Sequence, residues 1–120
     1  MNGGDVMSEA PISEAQQLAL DEFVSDIDVL NALSDSNRQK IIILLGSHLK
    51  HGLTVTELVE NMSLSQPAVS HHLKILKQVK IVGSTKHGLQ NTYHLTLDNT
   101  LEKLERLVAL IRASLQNIED

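Results

Sequence analysis

The stretch Leu53–Leu76 constrains this chain most, because it combines two short helical patterns with a tight turn between them. Thr54 and Glu57 have the spacing of a capping box at the start of the first pattern. Ser65 is a candidate N-cap for the second helix, and Pro67 falls in its first turn, where a missing backbone N–H does no harm. Apolar residues recur at helical spacing in both patterns: Val55, Leu58, Val59 and Met62, then Val69, Leu73 and Leu76. The arrangement predicts a helix-turn-helix unit.

The other face of the second helix is polar and free of acidic groups. Its members are Ser65, Gln66, Ser70, His71 and Lys74. Gln, Ser and His side chains can match the donors and acceptors that base edges present in the major groove of DNA. A recognition helix contacts bases with its N-terminal residues, so we expect base contacts from Ser65, Gln66 and Ser70.

The motif LSQPAVSHHLKIL, with LSDSNRQKIIILL before it and a hairpin ending in YHL after it, resembles the ArsR/SmtB family of bacterial regulators. The resemblance extends from about Leu30 to Leu95. It implies a mainly α (α+β) winged helix-turn-helix of about five helices and a two-stranded β-hairpin wing, dimerised through the first and last helices. It also implies a transcriptional repressor of double-stranded DNA targets.

The predicted wing follows the recognition helix. Ile81–Thr85 and Asn91–Leu95 are rich in β-forming residues, and His87-Gly88 is the expected turn. Contacts to the DNA backbone or minor groove are expected from the tip residues Lys86, His87, Gln90 and Asn91. The resembled family usually has more arginine here, so this tip is only weakly basic.

The charges are distributed unevenly along the chain. The net charge is −5, yet Met1–Asp35 holds eight acidic residues and no Lys or Arg, whereas Asn61–Leu97 holds four lysines and no acid. The basic region coincides with the segment predicted to face DNA. The simpler interpretation is a solvated surface with chance clustering.

Two apolar stripes are predicted at the ends of the domain. A capping box at Ser13 and Gln16 opens the first helix, which is predicted to run to about Leu33, and the last helix is predicted to start near Asn99 or Thr100. The last helix has heptad-like spacing that continues to Ile118. A 120-residue chain has too small a core to cover both stripes. We therefore expect a homodimer through Leu20, Phe23, Val24, Leu101, Leu104, Val108, Ile111 and Leu115. Two-fold symmetry then predicts a near-palindromic operator with recognition helices about 34 Å apart.

The length predicts one domain, with residues 1–12 as a flexible tail and residues 13–120 as the DNA-binding domain with its dimerisation helices. Cysteine is absent, which excludes disulfides and thiolate chemistry. No apolar run reaches membrane-spanning length and no secretory signal pattern is present, so we expect a cytoplasmic protein that does not bind membranes. No catalytic constellation is evident, so we expect no enzymatic activity.

The metal sites of the resembled family lack their ligands here. In one site of the family, Thr54 and Thr56 occupy the positions of a Cys-x-Cys pair. The other site begins at the stretch that matches Thr96–Asn99, and the last helix that follows has no His to complete it. We therefore expect no metal and no cofactor, and the inducer is unknown. Two sets could hold a cation as an alternative, His48 with His51, and Asp98 with Glu102 and Glu105. A metal-sensing repressor using these ligands, and a winged-helix protein-interaction module without DNA binding, are the alternative functions.

Three further polar residues have predicted places. Arg38, three residues after Asp35, is predicted to pair with it, to orient the start of its helix and to touch no DNA. His71 should face DNA, and His72 the flank or the domain interior. Since imidazole titrates near neutral pH, protonation of His71 would favour phosphate and tighten non-specific binding in acid.

Overall fold

The computed structural model describes residues 11–116 of the chain, and these form a winged helix-turn-helix. The described chain contains six helices and one two-stranded antiparallel sheet. The elements are α1 (Glu14–Ser25), α2 (Ile27–Leu33), α3 (Ser36–Gly46), α4 (Val55–Glu60), α5 (Gln66–Gln78), β1 (Val82–His87), β2 (Gln90–Leu95) and α6 (Asp98–Leu115). Most of the predicted tail, residues 1–12, and the apolar Ile118 lie outside the described residues.

The prediction of one helix from Ser13 to about Leu33 is wrong, because the chain turns at Asp26. The Asp26 N–H is 2.9 Å from the carbonyl of Glu22 and 3.2 Å from that of Phe23, which ends α1. A new helix then starts with the Leu30 N–H donating to the carbonyl of Asp26 at 2.9 Å. The turn divides one apolar stripe between two partners, since α1 packs on α6 and α2 packs on α3. Because the turn splits the predicted first helix into α1 and α2, the described chain has six helices where about five were predicted.

The main core lies between α3, α4, α5 and the hairpin. Its side chains are aliphatic, so its stability comes from burial of branched hydrocarbon rather than from aromatic stacking. The side chains with almost no exposure are Ile41, Leu45, Leu58, Val69, Leu73, Leu76, Ile81 and Val82. Val69, Leu73 and Leu76 belong to α5, so this core holds one face of α5 against the domain.

The hairpin turn lies one residue later than predicted. β1 extends to His87, which pairs with Gln90, and the two-residue loop is Gly88-Leu89. Gly88 has φ +66, a backbone conformation that glycine adopts without the steric cost of a Cβ. A glycine with positive φ at the first loop position is typical of a tight hairpin turn. A further bridge between Leu53 and Tyr93 connects the hairpin to the start of the helix-turn-helix.

Candidate nucleic-acid interface

The structure separates the two faces of α5 as the sequence predicted. Ser65 caps the helix by accepting a hydrogen bond from the Ala68 N–H at 3.3 Å. Val69, Leu73 and Leu76 are buried beneath the helix. The polar residues are all exposed: Ser65, Gln66, Ser70, His71 and Lys74. Because the Ser65 oxygen accepts the cap hydrogen bond, its hydroxyl proton is still free to donate to a DNA acceptor.

A second cap fixes the helix that precedes α5. The Thr54 Oγ1 accepts from the Glu57 N–H at 3.1 Å, and the Glu57 carboxylate accepts from the Thr54 N–H at 2.8 Å. This is the predicted capping box, and it starts α4 where the resembled family can carry a cysteine ligand. Thr54 is therefore a helix cap in this chain.

The hairpin register divides the predicted tip residues between two faces. Lys86 pairs with Asn91 on one face, and His87 pairs with Gln90 on the other, because neighbouring strand residues point to opposite sides. Ser84 shares the face of Lys86 and accepts a hydrogen bond from the Lys77 Nζ of α5 at 2.7 Å. Lys86 and Asn91 therefore lie on the side of the wing that is tied to α5. All four tip residues are exposed.

The basic side chains of this region are available to phosphate. The exposed lysines are Lys74, Lys77, Lys80 and Lys86. Within residues 11–116, the two ion pairs of 4.0 Å or less join α6 to Glu22 and Asp26. No described carboxylate therefore neutralises these lysines within that distance. Lysine contacts of this kind make DNA affinity fall as salt concentration rises.

The predicted ion pair between Asp35 and Arg38 is not formed by their side chains. The Asp35 carboxylate accepts the backbone N–H groups of Asn37 and Arg38 at 2.8 and 3.1 Å. The bond from the Arg38 N–H is the main cause that holds the pKa of Asp35 below its ordinary value of 3.8. As predicted, Asp35 orients the start of α3, but it does so as an N-cap.

The Arg38 guanidinium connects three helices, because it extends from α3 to contact both α2 and α5. Its Nε donates to the Ala32 carbonyl at 2.8 Å, and a second nitrogen donates to the Asn31 carbonyl at 3.2 Å. A third nitrogen lies 3.2 Å from Nδ1 of His72 in α5. His72 is half-buried, which agrees with its predicted place toward the flank or the domain interior. Spacing along the chain does not reveal this contact, because Arg38 and His72 are 34 residues apart.

The α1–α6 pair leaves its predicted dimer residues uncovered. Ala19 and Leu107 are buried between the helices. Leu20, Phe23, Val24, Leu101, Val108 and Leu115 are exposed, with Val24 at 74% and Val108 at 51%, and Leu104 and Ile111 are half-buried. An extended apolar surface of this kind is typical of a protein–protein contact.

Charged residues that the sequence did not single out also lie between α1 and α6. Asp26 is fully buried, and among the described residues its nearest cation is the Lys103 Nζ at 3.8 Å. Glu22 lies 4.0 Å from Arg106. Burial raises the pKa of Glu22 above its ordinary value of 4.5, and the neighbouring Asp26 raises it further, whereas Arg106 and Lys103 lower it. In the sequence, the acidic Glu22 within the apolar pattern of α1 is the feature that could have predicted this charged cluster.

The proposed cation ligands are not arranged as a metal site. His48 and His51 lie in the turn after α3, so the helical spacing that would bring them together is absent, and Nδ1 of His48 is 3.1 Å from the Leu44 carbonyl. No group of three or more His, Asp or Glu side chains between residues 11 and 116 has the geometry of a metal site. The same part of the chain contains no helix that is long and apolar enough to cross a membrane.

Comparison with known proteins identifies the family. Residues 35–84 match the profile described as "Bacterial regulatory protein, arsR family". The arsenical resistance operon repressor of Staphylococcus aureus is 35% identical over 79 residues, which cover 63% of this chain and 73% of that protein. An ArsR-like transcriptional regulator from Rhodococcus sp. RHA1 superposes with a TM-score of 0.66 at 26% identity, over 82% of this chain and 91% of that one.

A homodimeric winged helix-turn-helix DNA-binding domain from Mycobacterium bovis has the same fold, with a TM-score of 0.56 at 20% identity over 93% of this chain and 100% of that one. The profile match covers the helix-turn-helix and the start of the wing, where the polar face of α5 is exposed. The chain therefore belongs to the ArsR family and is a winged helix-turn-helix, DNA-binding transcriptional regulator.

Proposed function

We propose that this regulator is a homodimeric repressor that binds a near-palindromic operator with α5 in the major groove. The observation that carries the proposal is the exposed, acid-free face of α5 opposite its buried Val69, Leu73 and Leu76. A capped helix with such a face offers hydrogen-bonding groups to base edges and no charge that repels phosphate.

The residues of the surface have separate roles in this proposal. Ser65, Gln66 and Ser70 lie in the first turns of α5, where a recognition helix contacts bases. Lys74 and Lys86 contact phosphates, which position the protein without reading sequence. His71 faces the DNA, and the wing residues His87, Gln90 and Asn91 contact the backbone or the minor groove.

The dimer in the proposal forms through the exposed apolar residues of α1 and α6. The homodimeric state of the Mycobacterium bovis domain supports this arrangement, as do the exposed apolar residues of both helices. Residues 13–120 are proposed as the unit that folds, dimerises and binds DNA. Binding across two half-sites would occlude a promoter and repress it.

Selection from a random duplex library, followed by fluorescence anisotropy on the enriched sequence and on a scrambled duplex, tests the proposal. We expect an inverted repeat to be enriched. Gln66→Ala should lower operator affinity roughly 5- to 150-fold while leaving scrambled-duplex affinity unchanged, because a lost base contact costs roughly 1–3 kcal/mol. Lys74→Ala is the matched control on the same helix, and it should weaken both duplexes alike.

Two results would overturn the proposal. Equal losses on both duplexes from Gln66→Ala would remove its base-reading role. Weak binding without sequence preference would favour a protein-interaction module, which the acidic first third of the chain makes the second candidate. Titrations with a chelator and then with zinc, nickel and cobalt test the metal-sensing alternative directly.

A further inference from the structure

We propose that Arg38 is a positioning residue for DNA reading, which sets the orientation of α5 through a hydrogen bond to Nδ1 of His72. The inference rests on the proposed role of α5 as the recognition helix. The inference assigns a role in sequence discrimination to Arg38, which lies on another helix and outside the surface proposed to contact DNA.

The geometry of Arg38 suits a connecting role. Its Nε donates to the Ala32 carbonyl at 2.8 Å and another nitrogen donates to the Asn31 carbonyl at 3.2 Å, both in the last turn of α2. Carbonyls in the last turn of a helix have no partner within the helix, and a cation there also matches the helix dipole. The guanidinium is thus fixed by α2 before it reaches His72, so it can hold α5 in one place.

The contact with His72 requires a particular protonation state. Guanidinium nitrogens are donors only, and the group does not lose its proton in proteins. The nitrogen 3.2 Å away must therefore be an acceptor, which means that His72 is neutral with its proton on Nε2. A second proton on the ring would remove the acceptor and place an imidazolium against the guanidinium.

Other charged groups also lie near His72. The Asp35 carboxylate accepts two backbone N–H groups at the start of α3, and Asp28 of α2 borders the cavity beside Arg38. On α5 itself, the His71 ring is centred 5.9 Å from the His72 ring. The Arg38 nitrogen, at 3.2 Å, makes the direct polar contact with the His72 ring.

Two substitutions at His72 test the acceptor directly. His72→Asn keeps an oxygen near the position of Nδ1, whereas His72→Leu has similar bulk and no acceptor. We expect His72→Leu to lower operator affinity roughly three- to tenfold, the effect of one charge-assisted hydrogen bond at a partly exposed site. His72→Asn should stay near wild type, and neither variant should change random-duplex affinity. His48→Asn and His48→Leu are the matched controls, because His48 is an exposed histidine in the turn after α3, outside the surface proposed to contact DNA.

Rescue by the conservative variant is the readout that a purely structural role would not move, because His72→Asn restores the acceptor and His72→Leu does not. Wild-type affinity for the operator with His72→Leu, or equal losses on both duplexes, would overturn the positioning role.

Nitrogen-15 NMR of the His72 ring in the wild-type protein tests the contact without substitution or DNA. The inference requires a neutral ring with the proton on Nε2 at about pH 7.5, and a proton on Nδ1 would contradict it. The NMR measurement therefore tests the Arg38 inference separately from the proposed function. If Gln66→Ala leaves sequence discrimination unchanged, the proposed function is wrong. If the His72 ring carries its proton on Nδ1, only the Arg38 inference is wrong.

Discussion

The packing beneath α5 and the packing between α1 and α6 differ in kind. Beneath α5, Leu73 and Leu76 belong to an aliphatic core in which ten side chains are buried together. Between α1 and α6, only Ala19 and Leu107 are buried among apolar residues, together with the carboxylate of Asp26 and the hydroxyl of Thr100. The region proposed to read DNA therefore has its own core, whereas the terminal helices have an apolar surface that is exposed in the protomer.

The comparison explains how one small chain combines rigidity with assembly. A recognition helix must be held in a fixed orientation if its side chains are to meet base edges, and a close-packed core supplies that. In the proposed dimer, the terminal helices instead use their exposed apolar residues to contact the partner. The stability of this second region should therefore depend on protein concentration, and that of the first much less.

The largest expected effect comes from Leu73→Ala, which opens a cavity in the core directly beneath α5. Removing a buried leucine side chain costs about 2–5 kcal/mol of unfolding free energy. We expect this loss at every protein concentration, measured by urea unfolding, because the core lies within one protomer. Leu101→Ala is the control on the exposed α6 surface. If both losses vanished at high concentration, the core would not be independent of the dimer.

A charge on the α6 surface should separate the two regions. Val108→Asp places a carboxylate on both sides of a two-fold interface, so we expect the dimer dissociation constant to rise roughly a hundredfold. Analytical ultracentrifugation measures the change, and circular dichroism should show a folded monomer. Ile43→Asp is the control, because Ile43 is exposed on α3, away from the terminal helices. A dimer unchanged by Val108→Asp would place the interface elsewhere.

The smallest expected effect concerns pH, to which the two regions respond with opposite sign. The raised pKa of Glu22 means that the folded α1–α6 pair holds a proton more tightly than the unfolded chain does. Its stability is therefore lost as pH rises from 4.5 through the folded-state pKa. The lowered pKa of Asp35 has the reverse consequence at the start of α3, where stability is lost as pH falls from 3.8 through the folded-state pKa.

Glu22→Gln should remove the first of these dependences. We expect its melting temperature to exceed that of the wild type at neutral pH by less than about 4 °C, and the difference to shrink in acid. Asp21→Asn is a control on the exposed side of the same helix, and it keeps an oxygen for the 2.9 Å hydrogen bond from Gln17. A gain that is the same at every pH would show that Glu22 is not the titrating group.

Local signals in the sequence were sufficient where the structure depends on neighbouring residues. The caps at Thr54 and Ser65 and the two faces of α5 follow from residues within a turn of each other, and all were predicted. The turn at Asp26 was missed because the apolar stripe of α1 continues through it, and only the packing on α6 and α3 shows where it divides. The contact of Arg38 with His72 joins residues that only the folded core brings together. Which of the exposed residues contact DNA is still a prediction.

Hydroxyl-radical footprinting on the selected operator tests the central claim most directly, because it reports both the recognition helix and the dimer. If two copies of α5 are carried by one α1–α6 dimer, two protected segments should appear about 34 Å apart along one face of the duplex. Val108→Asp should lose this paired protection at protein concentrations where the wild type retains it. A single protected segment in the wild type, or paired protection that survives in Val108→Asp monomers, would contradict the account.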